Sequence, residues 1–294
     1  MAAIALVSAP GGAGKTTLAI CLATCLKVDG YNVAIVDMDP SGGLSLYLLG
    51  CERYDELERE KKTVADMFRE VFFEEKKPDL ENYIQKVKLG NNVIDLVSSG
   101  DRLSDVLGNI WFGGRFVNPG ASLYRVLKES GLLDAYDVLL VDTIPFYEYR
   151  YTALAIAACD RYIVPTTPTR LDMERTVRML RKLAPLSSDL RLGRGEFYSR
   201  FGVAFNKVRR GTKEGEMVEK GDLAQEVKNR VDKDIYVFES YIPFYADLAR
   251  LHDRATINRI ANTLVKTGKN EGGGKPGRYL REFYIEFLGW ANVR

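Results

Sequence analysis

The chain has 294 residues, of which 46% are hydrophobic and 28% charged, enough for one large α/β core. Its net charge of +2 excludes a globally basic nucleic-acid-binding protein, so any such surface must be local. A single histidine, and four cysteines without a CxxC or metal-ligand spacing, argue against histidine catalysis, zinc sites and redox chemistry. Since no apolar run approaches the roughly 18–20 residues of a membrane span, we expect a cytoplasmic protein.

The chain opens with a strand-like apolar run, residues 3–7, that leads into a glycine-rich loop and a helical pattern over residues 16–27. Backbone N–H groups of such a loop surround phosphates, its lysine reaches the β- and γ-phosphates, and its threonine hydroxyl binds Mg²⁺. The loop starts close to Met1, so we expect neither a signal peptide nor an N-terminal helix-turn-helix. The predicted nucleoside triphosphate site comprises Gly11, Gly12, Ala13, Gly14, Lys15, Thr16 and Thr17.

The second strand-like run, Asn32–Val36, ends in the sequence DMDPSG at residues 37–42. Asp37 and Asp39 are two residues apart, so an extended chain directs both carboxylates to one side. In a parallel sheet they would lie at the carboxyl edge, where α/β proteins bind ligands. A carboxylate there can orient an attacking water or hold hydrated Mg²⁺. The alternative is a turn that ends the strand, which DPSG would form by itself.

The rest of the chain alternates apolar runs with helical patterns. This predicts an α/β fold with a doubly wound, mostly parallel sheet and helices on both faces, in one domain with helical insertions. The further strands are expected at Val93–Val97, Val138–Val141, Tyr162–Pro165, Gly202–Phe205 and Ile235–Phe238, and the helices at Thr63–Phe72, Leu123–Ser130, Thr152–Ala158, Asp172–Leu183 and Leu223–Val231.

Three segments are expected to lie outside this minimal fold. The charged stretch Glu52–Lys88 is predicted to be solvated helix and loop, and Trp111–Phe116 an aromatic, glycine-rich loop. The glycine-rich stretch Thr267–Gly277 is typical of a flexible tether. The expected divisions are therefore an ATPase-like domain over residues 1–266, a tether over 267–277 and a C-terminal helix over 278–294.

Two later strands also end in polar side chains. The run at Val138–Val141 is followed by Asp142, an arrangement of the Walker B type in which the carboxylate would hold Mg²⁺ opposite Thr16. The run at Gly202–Phe205 is followed by Asn206, whose amide could pair with the edge of an adenine. Asparagine is also an ordinary residue at the end of a strand, so that role stays open.

Basic residues concentrate after Asn206 and near the C-terminus. Residues 250–294 hold nine Lys or Arg against four Asp or Glu. Cations spread over one face can bind a phosphate backbone without reading bases, although a charge run is often only a solvated face. The candidate DNA-binding residues are Lys207, Arg209, Arg210, Lys213, Arg254, Arg259 and Lys266.

The last helical pattern, Tyr279–Trp290, is amphipathic. Its apolar side chains follow helical spacing, at Leu280, Phe283, Tyr284, Phe287 and Leu288. Such a stripe can pack on the core or a dimer partner, anchor the chain to a membrane, or dock to another protein. Its polar face mixes arginine with glutamate, whereas an anchor for anionic lipid would be more basic.

In this order the motifs resemble the ParA/MinD branch of the P-loop ATPases, and most closely the ParA partition ATPases. The resemblance covers roughly residues 3–265, and the sequence at residues 37–42 is its most discriminating part. It also includes Asp142-Thr143-Ile144-Pro145, Ala153-Leu154, Val164-Pro165, Asn206 and Ile242-Pro243.

The resemblance implies ATP and Mg²⁺ as cofactors and assigns roles to individual residues. Lys15 would bind the phosphates, Thr16, Asp142 and Asp39 would surround Mg²⁺, and Asp39, supported by Asp37, would position the attacking water. Asn206 and Pro243 would lie at the nucleotide. It also implies a homodimer on ATP binding, non-specific binding to nucleoid DNA, and a centromere-binding protein of the ParB type that stimulates hydrolysis.

One position departs from the family pattern. Members carry a second lysine before the paired glycines, which crosses to the phosphates of the dimer partner, and here that position is Pro10. Proline carries no charge and no N–H donor, so a cation must come from elsewhere or be absent. Arg115 and Arg150 are the candidate substitutes. Two alternatives stay open: a MinD-like ATPase recruited to membranes, and a metabolic ligase or metal-delivery relative on the same fold.

Overall fold

A mostly parallel sheet forms the centre of the computed structural model, which describes residues 1–114, 116, 118–146, 148–244 and 275–293. In the described part of the chain nine strands join in the order β3-β4-β2-β5-β1-β6-β7-β8, with β9 also paired to β7. Among these nine described strands only β3 and β4 pair antiparallel. The strands are β1 Ala2–Leu6, β2 Val33–Asp37, β3 Ile84–Leu89, β4 Asn92–Val97, β5 Val138–Asp142, β6 Arg161–Thr166, β7 Phe201–Val208, β8 Tyr236–Val237 and β9 Ile242–Pro243.

Helices cover both faces of this sheet, and the predicted fold class is confirmed. Every residue of β2 and β5 is buried, because neither face of these strands meets water. The α-helices are α1 Lys15–Val28, α2 Gly43–Leu49, α3 Cys51–Glu60, α4 Val64–Phe73, α5 Leu80–Tyr83, α6 Leu103–Phe112, α7 Ser122–Glu129, α8 Leu132–Ala135, α9 Tyr149–Ala158, α10 Arg170–Leu183, α11 Leu186–Asp189, α12 Arg194–Ser199, α13 Lys213–Glu219, α14 Asp222–Arg230 and α15 Lys275–Ala291.

The strand order brings the ends of β1, β2 and β5 together. In the parallel register Leu6 pairs with Asp142, and Asp142 pairs with Asp37. The chain leaves β1 toward β2 on one side, while β6 lies on the other side, so the order in which the chain adds strands to the sheet reverses at β1. Such a switch point is where open α/β sheets bind ligands.

Two of the predicted insertions differ in the structure. The segment Glu52–Lys88 holds strand β3, whose residues alternate between buried and exposed as they pair with β4 at the sheet edge. Lysines occupy its exposed positions, so the sequence resembles a charged stretch although alternate residues are buried. Trp111 and Phe112 are not in a loop: they form the last turn of α6, which begins at Leu103.

The last helix, α15, packs on the sheet face that also carries α1. Phe283 and Phe287 are fully buried there, and Trp290 packs on Phe238 with ring centroids 5.3 Å apart. Strand β7 has Gly202 beneath them, where a Cβ would lie only 2.6 Å from the Phe238 ring. The predicted tether lies outside the described residues up to position 274, and α15 already begins at Lys275.

We expect α15 to contribute strongly to stability. Phe287→Ala removes a fully buried ring, so the free energy of unfolding should fall by about 3–5 kcal/mol in urea denaturation. The matched control is Ile285→Ala on the same helix, where the side chain is 58% exposed and the expected change is within about 0.5 kcal/mol. Equal effects from the two substitutions would contradict the packing of this helix.

Candidate nucleotide-binding site

The glycine-rich loop follows β1 and ends at the start of α1, and we call residues 9–17 the P-loop. Gly12 and Gly14 have φ values of 72° and 94°, in the left-handed region that favours glycine. Gly14 has a second constraint, since a Cβ there would lie 2.2 Å from the Asn206 amide nitrogen. It is also the N-cap of α1 and offers no side-chain cap, so the first N–H groups of the helix are left for an anion.

Lys15, the first residue of α1, is buried. Its ammonium donates to Ser8 Oγ at 3.1 Å, and that hydroxyl donates to the Pro10 carbonyl at 3.0 Å. Burial lowers the pKa of Lys15, while the charges of Asp142 and Asp39 oppose this shift. The structure therefore brings one cation and two carboxylates of the predicted site together.

Asp142 and Thr16 meet at the other side of the P-loop. The Thr16 hydroxyl donates to Asp142 Oδ2 at 2.6 Å, which leaves the threonine lone pairs available to a metal. Asp142 Oδ1 is buried and has no hydrogen-bond partner among the described residues, and burial raises the pKa of this carboxyl to about 6.

These groups fit Mg²⁺ brought in with a nucleotide. An unpartnered buried carboxylate oxygen is costly unless a cation or a water serves it. The described residues hold no cluster of three or more His, Cys, Asp or Glu side chains able to bind a metal alone. Mg²⁺ commonly keeps several waters and takes phosphate oxygens with only one or two protein ligands, which matches Thr16 and Asp142.

Asp37 and Asp39 take different positions. Asp37 is fully buried, and its carboxylate accepts from the Ser45 N–H at 2.9 Å, the Ser45 hydroxyl at 2.7 Å and the Asp39 N–H at 3.0 Å. Burial, and then the charge of Asp142, raise the pKa of Asp37 to about 7. The half-exposed Asp39 carboxylate accepts from the N–H and hydroxyl of Ser41 at 2.9 and 2.6 Å. Asp37 thus fixes the loop over residues 39–45 from the protein interior, and Asp39 faces the site.

Sequence reasoning missed the contribution of β4. Ser99 lies just after this strand and belongs to none of the predicted motifs. Its hydroxyl donates to the Asp39 carbonyl, and its N–H donates to Ser45 Oγ at 3.0 Å. Both serines are buried. They connect the end of β4 to the loop that carries Asp39, and a lone serine gives no signal of such a role.

Asn206 lies beside the P-loop, and both of its side-chain polar atoms are used within the chain. The amide nitrogen donates to the Ala13 carbonyl at 2.7 Å, and Oδ1 accepts from the Lys207 N–H at 2.8 Å. An amide has a second N–H donor and a second lone pair on its oxygen, so the adenine contact stays a prediction beside these two bonds. Pro243 is buried in β9, beside Val208 of β7.

Of the two arginines proposed to replace the lysine missing at Pro10, the structure describes one. Arg150 lies at the start of α9, where it binds both carboxylate oxygens of Glu148 at 2.9 Å and stacks over Phe112 at 5.1 Å. Its guanidinium is therefore already paired within the chain. Arg115 lies outside the described residues.

The candidate DNA-binding residues are only partly described. The Lys207 ammonium reaches the Gly12 carbonyl at 2.6 Å. Arg209 stacks over Phe244, and Arg210 stacks over Tyr279. Lys213 begins α13. The other three candidates lie outside the described residues, namely Arg254, Arg259 and Lys266. In the part of the chain that the structure describes, no helix is long and apolar enough to cross a membrane.

Comparison with known proteins agrees with this geometry. The AAA_31 family, described as an AAA domain, matches residues 1–191. The maintenance of carboxysome distribution protein A of Synechococcus elongatus is 26% identical over 187 residues, 64% of this chain and 66% of that protein. The chain thus matches slightly less than two thirds of that relative's length.

Two solved structures share the fold over nearly the whole chain. A Borrelia burgdorferi putative plasmid partition protein bound to AMPPNP is 19% identical, with a TM-score of 0.68 and 98% of each chain covered. A Cyanothece McdA variant in complex with ATP is 17% identical, with a TM-score of 0.73, covering 100% of this chain and 97% of that one. With the family match over residues 1–191, the chain belongs to the ParA/MinD-type P-loop NTPases.

Proposed function

We propose that this chain is a ParA-like ATPase that binds ATP with Mg²⁺, dimerises, coats DNA non-specifically and segregates DNA with a centromere-binding partner. The meeting of Lys15, Asp142 and Thr16 at the switch point of the sheet is the observation that carries the ATP-binding part. The resemblance of the motifs to partition ATPases supports the DNA part.

The site residues divide the work of hydrolysis. Lys15 neutralises charge on the β- and γ-phosphates, and the N–H groups at the start of α1 bind phosphate oxygens. Mg²⁺, when bound, screens the triphosphate charge, and Thr16 with Asp142 would hold it. Asp39 orients a water toward the γ-phosphate, and Asp37 fixes the loop that carries Asp39.

Hydrolysis is expected to be slow. Pro10 supplies no cation, and Arg150 is engaged with Glu148. Removal of one group that stabilises developing charge commonly costs about 2.7–4 kcal/mol of barrier. A slow ATPase suits a switch that stays bound to DNA until a partner stimulates turnover.

The DNA-binding part has a direct test. We expect fluorescence anisotropy with random-sequence duplex DNA to show binding that requires ATP and weakens steeply with salt. Among the described candidates, Lys207 contacts the P-loop, whereas Arg209, Arg210 and Lys213 do not. Their combined replacement by glutamine should weaken binding about tenfold or more at low salt. The matched control is a triple replacement by glutamine at the exposed Lys77, Lys86 and Lys88, which lie on or just before the edge strand β3.

Three results would count against DNA binding: no DNA affinity at low salt, affinity indifferent to nucleotide, or equal loss in the control. The membrane alternative has less support, because the apolar side chains of α15 are buried against α1 and the sheet. ATP-dependent flotation of the protein with anionic liposomes would favour that alternative instead.

A further inference from the structure

Lys207 occupies a strained position at the end of β7. Its φ of 57° lies in the left-handed region, which costs a side chain with a Cβ. The pairing of β7 with β9 shifts register between Asn206 and Val208, so Lys207 is the extra residue of a bulge. Strain of this kind persists where the surrounding contacts require it.

The bulge brings two neighbouring side chains onto the P-loop. In a regular strand residues 206 and 207 would point to opposite faces. Here the Asn206 amide donates to the Ala13 carbonyl at 2.7 Å, and the Lys207 ammonium donates to the Gly12 carbonyl at 2.6 Å. Two consecutive P-loop carbonyls are thus held by the same end of β7.

Holding these carbonyls fixes the direction of the next two N–H groups. In a trans peptide the C=O of one residue and the N–H of the next point in opposite directions. The Gly12 and Ala13 carbonyls point toward β7, so the Ala13 and Gly14 N–H groups point away from it. Among the described residues neither N–H donates to a backbone carbonyl. N–H groups at these loop positions are the ones that bind phosphate oxygens.

We infer that Lys207 is a positioning residue for nucleotide binding: with Asn206 it orients the phosphate-binding N–H groups of the P-loop. The ammonium also polarises the Gly12–Ala13 peptide, which strengthens the Ala13 N–H as a donor toward an anion. The chain thereby brings a second cation to its own P-loop from outside, although Pro10 offers none within it. The inference rests only on the ATP-binding part of the proposed function.

Lys207→Met tests this role, because methionine keeps an unbranched apolar stem and removes the ammonium. Isothermal titration in the presence of Mg²⁺ should show ATP and ADP binding weakened alike, by about tenfold, the size of one charge-assisted hydrogen bond. In steady-state hydrolysis KM should rise while kcat stays within about twofold, since the reacting atoms are untouched. Lys207→Arg should recover most of the affinity.

Two further variants separate positioning from a structural role. Lys207→Gly relieves the left-handed strain, so its melting temperature should equal or exceed the parental value while ATP affinity falls as in Lys207→Met. Lys220→Met, at an exposed lysine that pairs with Glu216 at 3.9 Å, should bind ATP as the parent does.

Parental ATP affinity in Lys207→Met, a loss confined to kcat, or failure of the arginine rescue would each overturn the inference. A parental chain that binds no ATP would instead contradict the proposed function itself.

Discussion

Lys15→Ala is expected to remove most of the affinity for ATP and to abolish turnover. The ammonium is buried and feels the negative charges of Asp142 and Asp39, and it is the charge that the proposed mechanism directs at the phosphates. Without it, two carboxylates face a polyanionic ligand with no fixed cation beside them. We expect the affinity for ATP with Mg²⁺ to fall by about a hundredfold or more, on the scale of 2–3 kcal/mol for a buried charged contact. Isothermal titration measures this loss directly.

The control for Lys15 is Lys27→Ala, in the last turn of the same helix. It removes a lysine far from the P-loop, so it should leave ATP affinity unchanged. Circular dichroism of both variants separates loss of binding from loss of fold. Parental ATP affinity in Lys15→Ala would refute the phosphate-binding role of this residue.

Asp39→Ala is expected to retain ATP binding and lose hydrolysis. The carboxylate is half-exposed at the mouth of the site, and its main task in the proposed mechanism is to orient the attacking water. We expect kcat to fall by about 10²–10³, the usual cost of removing one group that acts on the transition state. The ATP-bound dimer should then accumulate, which size-exclusion chromatography with ATP would detect.

Asp39→Asn isolates the charge from the geometry. The asparagine oxygen can still accept from the N–H and hydroxyl of Ser41, so the turn at residues 39–41 is preserved. A loss of hydrolysis as large as that in Asp39→Ala identifies the carboxylate charge as the cause. If either variant hydrolyses ATP at the parental rate, Asp39 does not position the water.

The sequence was sufficient to locate the site residues that directly follow buried strands. Buried parallel strands are continuous apolar runs, so the ends of β1, β2 and β5 could be located, and with them Lys15, Asp39 and Asp142. The period-two spacing of Asp37 and Asp39 did not show which carboxylate would be buried, since that depends on Ser45 and on the register with Asp142.

The role of the β7 end could not be predicted in the same way. A bulge changes which face a side chain occupies, and nothing in the residues 201–208 marks its position. Lys207 was therefore grouped with the surface cations, although its ammonium contacts the P-loop. Strand β3 was missed for a related reason: at a sheet edge only alternate residues are buried, and charged side chains fill the remaining positions.

The contact between Asn206 and Ala13 joins residues 193 positions apart in the chain. Contacts of such long sequence separation form late in folding, and during synthesis the N-terminal part of the chain emerges first. The P-loop is made within the first twenty residues, yet its supports arrive only when β7 has been translated. A chain that ends short of residue 206 thus carries the nucleotide motif without the Asn206 contact that holds it.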